Sequence, residues 1–389
     1  MDMKHIMTTL LALALCATAT AQDFDKYFTD STLRLDYIFE GNARQQHIAL
    51  DQLNVSPRWY GKRQRLAELP IQGNGQLTVR DHKTRTAIYR NSFSTLFQEW
   101  LSYPEAEGAA RSFENVFLMP MPKDTVEVTI RRIGKKPTPY TTLWQARDTT
   151  RCIHIAFVAE GYTEGEMDTF VADARIAMDA IFAHEPFKSM RDRFNVVAVK
   201  SPSAESGTSS PAAGVWRNTA LGSHFDTFYS SRYLTTLRLK TLHDVLAGTP
   251  YEHIIVLVNT DQYGGGGILN SYNLAMTHHP KFRPVVVHEF GHSFAGLADE
   301  YAYDFEDIPM YPHDVEPWEP NITTKVDFHN KWENLIGTDS QAGFYEGAGY
   351  SLKGVYRAYP DCRMRTNENP EFCKACRQAL VRLINFYTE

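Results

Sequence analysis

The residues with the most distinctive chemistry in this 389-residue chain are His288, Glu289 and His292, which share the apolar segment VVVHEFGHSFAGL at residues 285–297. Two histidines four residues apart project from the same face of a helix, where both imidazoles can reach one ion at nitrogen–metal distances of about 2.0–2.1 Å. Glu289 follows the first histidine, and its carboxylate is free to take a proton from a water molecule and later to return it. Because an apolar helix that buried these side chains without a partner would be costly, the segment predicts a site for one zinc ion, with Glu289 as general base.

A catalytic zinc ion usually has three protein ligands, and the residues after the helix offer candidates for the third. Gly296 favours a left-handed helix end, after which the chain can fold back towards the ion. The segment GLADEY then supplies two adjacent carboxylates, Asp299 and Glu300. We predict Asp299 as the third ligand and keep Glu300 as the alternative, because a carboxylate that does not bind the metal can still orient an imidazole.

This arrangement resembles the metzincin superfamily of zinc peptidases, whose signature is HExxHxxGxx followed by histidine or aspartate. The chain departs from that signature because Gly296 stands one residue late, although Asp299 keeps the distance of three residues from the glycine. The resemblance also implies a methionine turn beneath the metal, for which Met364 in the sequence DCRMR is the candidate. Tyr301 and Tyr303 are candidates for binding substrate or stabilising an oxyanion.

The whole layout is more specifically similar to the bacterial IgA-peptidase family of secreted zinc metallopeptidases. The similarity rests on AEGYT at residues 159–163, HEFGHSFAGLADEY at 288–301, the late CRM turn at 362–364 and FCKAC at 372–376. It implies an N-terminal β domain, a metzincin-like catalytic domain and hydrolysis of peptide bonds in proteins. Nothing in these motifs selects a particular protein substrate.

The elements that must position these residues indicate two domains, as the length of the chain also suggests. From residue 22 to 133, short segments of alternating apolar and polar residues favour an antiparallel, β-sandwich-like domain. After a linker at 134–150 that contains lysine and proline, an apolar run at 153–159, a capping box and a helical period predict a βαβ unit. We therefore expect an α/β catalytic domain at 151–389 whose sheet is parallel for at least three strands.

Four glycines at 264–267 lead into the run 268–276, which we predict to be an edge strand. An unpaired strand edge is a ready template for another chain. We therefore expect an extended polypeptide substrate to pair its backbone with residues 268–276.

The first 21 residues are predicted to be a cleaved secretory signal peptide. Lys4 precedes an apolar run of about ten residues, and the segment ends in the small-x-small sequence Ala19-Thr20-Ala21. The run is shorter than the ~20 apolar residues needed to cross a bilayer, so no membrane span is expected. Cleavage near Ala21 would leave the protein secreted, periplasmic or at the cell surface, and would remove Cys16.

Cysteines remain at four positions after the signal peptide: Cys152, Cys362, Cys373 and Cys376. One or two disulfides are plausible in an oxidising compartment, most simply with Cys362 closing a short loop to Cys373 or Cys376. The CxxC at Cys373 and Cys376 is a weaker indication of zinc, because the sequence contains no second CxxC to complete a site.

Composition and charge exclude other classes of function. The chain has 43% hydrophobic residues and a formal net charge of -6, so it lacks the basic surplus that nucleic-acid phosphates require. The sequence predicts a secreted zinc-dependent endopeptidase that acts on polypeptides. Two alternatives stay open: a secreted surface-binding protein with a non-catalytic zinc domain, and a zinc amidase that acts on cell wall. The oligomeric state is also left open.

Overall fold

The computed structural model describes residues 24–124, 130–132, 138–303 and 311–389. The predicted signal peptide, with Cys16, lies outside these residues. Within the described part of the chain, no helix is both long enough and apolar enough to cross a membrane.

The first unit of the fold is built mainly from strands. Its elements are α1 (Phe24–Tyr27), β1 (Phe28–Gly41), β2 (Gln46–Pro57), β3 (Gly75–Arg80), β4 (Ala87–Phe93), α2 (Leu96–Trp100), α3 (Glu105–Gly108), β5 (Arg111–Pro122) and β6 (Ile130–Arg132). Four strands form a sheet in the order β5-β1-β2-β6, and β3 pairs with β4 in a separate hairpin.

The hairpin packs on the sheet through apolar side chains, which gives this unit two layers. Phe28 and Met119 of the sheet share a buried cluster with Ile88 and Tyr89 of the hairpin. β1 is antiparallel to both β2 and β5, as the prediction requires. β6 departs from the predicted antiparallel pattern, because it joins the far edge of the sheet and runs parallel to β2.

The second unit alternates strands and helices. Its elements are β7 (Tyr140–Trp144), β8 (Ile153–Glu160), α4 (Met167–Phe182), β9 (Phe194–Val199), α5 (Leu239–Leu246), β10 (His253–Val258), β11 (Gly265–Ile268), β12 (Tyr272–Met276), α6 (Phe282–Ala295), β13 (Ile322–Thr323), β14 (Tyr345–Ala348), β15 (Ser351–Arg357) and α7 (Lys374–Thr388). Short 3₁₀ turns connect several of them, and β13, β15 and β14 form a small sheet in that order.

Six strands form the central sheet in the order β11-β12-β10-β8-β9-β7. The inner strands β12, β10, β8 and β9 are mutually parallel, which confirms the prediction of at least three parallel strands. The edge strands β11 and β7 are antiparallel to their neighbours. The inner strands are buried on both faces, and for that reason they read as continuous apolar runs in the sequence.

Each face of this sheet carries a different core. One face packs against α4, α6 and α7, including the fully buried Phe170, Phe290 and Leu380. The other face packs against α5 and against the first unit, whose Trp100 and Phe113 belong to the same apolar cluster as the sheet. The two units therefore share a core instead of being joined only by a chain segment.

The predicted linker at 134–150 is partly a strand. Within it, β7 pairs with β9 from Tyr140 to Trp144 and so extends the central sheet. The alternation of β7 covers only five residues, which is too short to separate a strand from a linker by pattern alone.

Candidate metal centre

Helix α6 carries the two predicted histidine ligands. Its buried side, which includes Val286, Phe290 and Phe294, lies in the core beneath the central sheet and fixes the helix in place. His288 and His292 stand on the side that faces away from that core, where their side chains are 14% and 16% exposed. Their Nε2 atoms are 3.0 Å apart, as the one-turn spacing predicts.

The helix ends where the sequence predicts. Gly296 adopts a left-handed conformation with φ of 60°, which confirms the expected reversal after α6. Its N–H bonds back to the carbonyl of His292, and the N–H of Leu297 bonds back to that of Gly291. The chain then turns towards the histidines instead of continuing away from them.

This reversal brings Asp299 to the histidines. Asp299 Oδ1 lies 3.0 Å from His288 Nε2 and 3.4 Å from His292 Nε2. The side chain is only 6% exposed. Glu300 is not part of this group, because its carboxylate lies among cysteine side chains on the other side of the loop. Of the two predicted alternatives, the geometry therefore groups Asp299 with the histidines.

The other nitrogen of each imidazole is engaged by a backbone carbonyl. His288 Nδ1 lies 3.1 Å from the oxygen of Arg363, and His292 Nδ1 lies 2.5 Å from the oxygen of Leu297. Each Nδ1 must donate to its carbonyl, so in a neutral imidazole the Nε2 carries only a lone pair. Two lone pairs and a carboxylate oxygen thus face one another.

Three acceptor atoms at such short range require a shared positive charge. Burial lowers the pKa of His292, but the adjacent Asp299 outweighs it and raises that pKa to about 9. A cation supplies the same compensation to all three atoms at once. Ligands that each lie about 2.0–2.1 Å from a tetrahedral zinc ion are about 3.3 Å from one another, close to the separations found here. The three residues therefore fit a zinc ion, with a side open to solvent.

Glu289 lies beside this group, against the edge of the sheet. A Cβ on Gly265 of β11 would come within 2.6 Å of Glu289 Oε1, so the glycine makes room for the carboxylate. Burial raises the pKa of Glu289, while the positive charge of the two imidazoles opposes the increase. A carboxylate with a raised pKa is well suited to accept and return a proton near neutral pH.

The edge strand is not where the sequence analysis put it. The outermost strand is β11, and the predicted edge segment 268–276 contains its last residue, a tight turn and the inner strand β12. Asn270 takes a positive φ of 51° in that turn, which folds β11 back on β12. The prediction was wrong because Gly265, Gly266 and Gly267 form most of a strand instead of a flexible bend.

The outer side of β11 is itself partly occupied. Gly265 accepts a hydrogen bond from the N–H of Leu234 and donates one to the carbonyl of Arg232. Residues 268–276 therefore offer no unpaired strand edge on which a substrate could dock as expected.

The candidate tyrosines contact each other, with ring centroids 5.5 Å apart, and Tyr301 lies near Asp299. Tyr301 and Tyr303 both accept hydrogen bonds from the guanidinium of Arg232. Burial raises the pKa of Tyr301 well above its ordinary value, so its hydroxyl stays protonated. Tyr303 stacks on a third tyrosine, Tyr350, with ring centroids 5.5 Å apart.

Tyr350 is a site residue that the sequence analysis missed. Its hydroxyl donates to Asp299 Oδ2, whereas the other oxygen, Oδ1, lies next to His288. The residue lies between β14 and β15, and it reaches the site because its N–H bonds to the carbonyl of Tyr301. Tyr350 is separated from Asp299 by 51 residues, so no local pattern points to it.

Met364 lies directly beneath α6, where the resemblance places a methionine turn. A Cβ on Gly291 would come within 2.7 Å of Met364 Sδ, so the glycine in HEFGH leaves room for the methionine. The carbonyl of Met364 accepts the N–H of Glu300 at 2.8 Å. One turn, residues 363 and 364, thus supports both His288 and the loop that carries Asp299.

Most of the chain is similar to one known family. Residues 141–341 and 337–384 match the profile of the family described as IgA Peptidase M64. Residues 23–143 match the profile described as Peptidase M64 N-terminus. A search of curated proteins found no match.

Proposed function

This chain belongs to the IgA peptidase M64 family, which makes it a peptidase, and from that premise we propose that it is a zinc-dependent endopeptidase exported from the cell. The observation that carries the proposal is the convergence of His288, His292 and Asp299 on one point, with Glu289 beside them. These donors are the nitrogen and oxygen ligands that zinc takes in hydrolases, and three protein ligands leave a position for water or substrate.

We assign the ion to His288 Nε2, His292 Nε2 and Asp299 Oδ1. A bound zinc ion would polarise the scissile carbonyl and acidify a water molecule. The backbone carbonyls at Arg363 and Leu297 hold the two imidazoles in the orientation that aims Nε2 at this position.

Glu289 moves the proton. Its carboxylate accepts a proton from the attacking water and later delivers it to the departing amine. The raised pKa of Glu289, which results from burial, supports both halves of this task. The close packing of β11 on the helix excludes bulk water from one side of the carboxylate.

Arg232, Tyr301 and Tyr303 are the groups that we assign to the substrate. They stand together at the rim, where Arg232 donates to both phenol oxygens. A protonated phenol can donate a hydrogen bond to an oxygen that becomes negative during the reaction. Tyr350 has a different role, because its hydroxyl is directed at Asp299 and so positions the ligand.

The catalytic unit also carries the features of the metzincin type: an HExxH helix, a glycine turn, an acidic third ligand and a methionine beneath the metal. We propose a metzincin-like site on this basis, with the glycine displaced by one residue. Export is proposed from the predicted signal peptide, and N-terminal sequencing of the exported protein should then begin at Gln22.

The decisive experiment compares the wild type with Glu289→Gln on casein and on a mixed library of quenched fluorescent peptides. We expect the variant to lose activity by about 10²–10⁴-fold while it keeps its zinc, because only the proton carrier is changed. Glu164→Gln is the matched control, since Glu164 is exposed and lies outside the site. Equal cleavage by the wild type and Glu289→Gln would overturn the mechanism, and release of peptides from purified cell wall instead of protein would indicate the amidase alternative.

A further inference from the structure

A second group of metal-binding side chains lies beneath the loop that carries Asp299. Glu300, Cys362, Cys373 and Cys376 each direct one donor atom to a common point, and these atoms all lie within 4.8 Å of one another. Glu300, Cys362 and Cys376 have no exposed surface. We propose that these four residues bind a second zinc ion in a closed, structural site.

The spacing of the sulfur atoms suits a metal. Cys362 Sγ and Cys376 Sγ are 3.7 Å apart, and the described cysteines form no disulfide. Two thiolates on one tetrahedral zinc ion, each about 2.3 Å from it, stand about 3.8 Å apart. A disulfide between two of the three cysteines would leave the third thiol close to the buried Glu300 carboxylate.

Glu300 supplies the fourth ligand. Its Oε1 lies 3.2 Å from Cys376 Sγ and accepts a hydrogen bond from Asn321 at 3.0 Å. Its Oε2 is buried and accepts no hydrogen bond from any described group. A buried carboxylate oxygen without a donor is costly, and a cation bound among the thiolates would offset that cost.

The surrounding backbone is arranged to receive thiolates. The N–H of Cys373 points at Cys362 Sγ from 3.1 Å. Cys373 is also the N-cap residue of α7, and Cys376 lies in the first turn of this 15-residue helix. The positive end of the helix dipole therefore favours negative charge on both sulfurs.

The ligand set favours zinc over other cations. Three soft thiolates and one carboxylate, in a site without an open position, match structural zinc and exclude the oxygen-seeking ions calcium and magnesium. The CxxC alone is a weak indication of zinc, because the sequence contains no second CxxC. The missing ligands are Cys362, which is 11 residues upstream, and Glu300, which is adjacent to the predicted catalytic ligand.

The second ion would tie together the parts that support the first. Glu300 follows Asp299 directly, and Cys362 precedes Met364 by two residues. Asn321 holds the same loop from the side, because it exchanges hydrogen bonds with the backbone N–H and carbonyl of Ala298. The site therefore joins the Asp299 loop, the methionine turn and the start of α7.

The test is metal content combined with a spectroscopic signature of the thiolates. Full-length mature protein, reconstituted with zinc and then desalted, should contain two zinc ions per chain, and His288→Ala/His292→Ala should keep one. The same double variant loaded with cobalt(II) should show thiolate-to-cobalt charge-transfer absorption in the near ultraviolet. Cys373→Ser should lose this absorption, whereas Cys152→Ser, which changes a cysteine outside the cluster, should retain it.

Alkylation of the denatured wild type without reductant, after removal of metal, separates the proposal from a disulfide. All four cysteines of the mature chain should react. Two results would overturn the proposal: a single zinc ion per wild-type chain that is lost in the histidine double variant, or two unreactive cysteines among Cys362, Cys373 and Cys376. Neither result depends on a cysteine variant, so both stand even where such a variant does not fold.

Discussion

Two clusters of proposed metal ligands lie on either side of one peptide bond, the bond between Asp299 and Glu300. The first cluster has partly exposed imidazoles and lies beside Glu289, to which we assign the proton transfer. The second consists of a buried glutamate and three cysteines, of which Cys362 and Cys376 are buried and Cys373 is half-buried. Donor chemistry and exposure together separate a site that can do chemistry from one that can only hold the chain in place.

The backbone between the clusters explains how adjacent carboxylates reach opposite sites. Gly349 donates its N–H to the carbonyl of Asp299, whereas the N–H of Glu300 bonds to the carbonyl of Met364. The segment is thus held from both sides, as a strand would be. Successive side chains of such an extended segment point in opposite directions, so Asp299 faces the histidines and Glu300 faces the cysteines.

Exchanging each carboxylate for its amide tests this division most strongly. Asp299→Asn should lose the zinc of the open site and lower peptidase activity by a factor on the order of 10³ or more, because the only anionic ligand is removed. Glu300→Gln should lose the other zinc and keep the open-site ion. Metal analysis and peptide cleavage on both variants provide the readout. The opposite pattern, with the open-site ion lost only in Glu300→Gln, would mean that the two carboxylates are assigned to the wrong sites.

Removing a thiolate should affect stability more than chemistry. Cys376→Ser is expected to lower the free energy of unfolding by at least about 3 kcal/mol, because the other buried ligands lose their shared cation. Chemical denaturation measures this change, and Cys152→Ser is the matched control, expected to cost no more than about 1 kcal/mol. Equal costs for the two variants would argue against a structural ion.

The sequence predicted the parts of the site that depend on local pattern. Helix α6, its left-handed end at Gly296 and the approach of Asp299 all lie within 18 residues of one another and follow from helical spacing and glycine chemistry. The parallel strands β8, β9 and β10 were also recognisable, because burial on both faces leaves continuous apolar runs.

Contacts between distant segments could not be read in the same way. Tyr350 reaches Asp299, and Glu300 reaches Cys376, only because distant segments meet in the fold. These segments are the loop that carries Asp299, the β14–β15 loop and the start of α7. The glycines of β11 carry no side chains, so they show neither apolar alternation nor β-branched residues, and their strand was mistaken for a bend. The packing of Trp100 and Phe113 on the central sheet is likewise a property of the assembled fold.

The first cluster also depends on the close packing of β11 against α6, whereas the second cluster does not. A Cβ on Gly267 would come within 2.6 Å of the backbone oxygen of Glu289 and 2.9 Å of His292 Cβ. Gly267→Ala should therefore cost about 2 kcal/mol of stability and lower activity, because backbone atoms cannot move aside as a flexible side chain can. Thermal unfolding and peptide cleavage measure the two effects. Gly165→Ala is the control, since nothing lies within 4 Å of a Cβ there.

The Gly267→Ala variant also tests whether the two clusters are independent of each other. The cobalt–thiolate absorption of the second site should be unchanged, because Gly267 contacts α6 from the sheet side only. Loss of that absorption together with activity would show that the two clusters form one cooperative unit.

The smallest expected effect concerns Tyr350. A variant at this position tests whether the hydroxyl orients the proposed ligand Asp299. Tyr350→Phe keeps the ring that stacks on Tyr303 but removes the hydroxyl that donates to Asp299. We expect the zinc affinity of the open site to fall about tenfold, which corresponds to ~1.4 kcal/mol, because the carboxylate loses the contact that orients it. Competition with a chelator measures this affinity.

Tyr345→Phe is the matched control for Tyr350→Phe, since the Tyr345 hydroxyl donates to the backbone of Gln341, away from both clusters. An unchanged zinc affinity in Tyr350→Phe would place the hydroxyl among the substrate-binding groups with Tyr301 and Tyr303. In that case KM for a peptide substrate should rise while the zinc content stays constant. Weaker zinc binding at the first cluster, with the second cluster unchanged, would instead show that the β14–β15 loop supports only Asp299 and not Glu300.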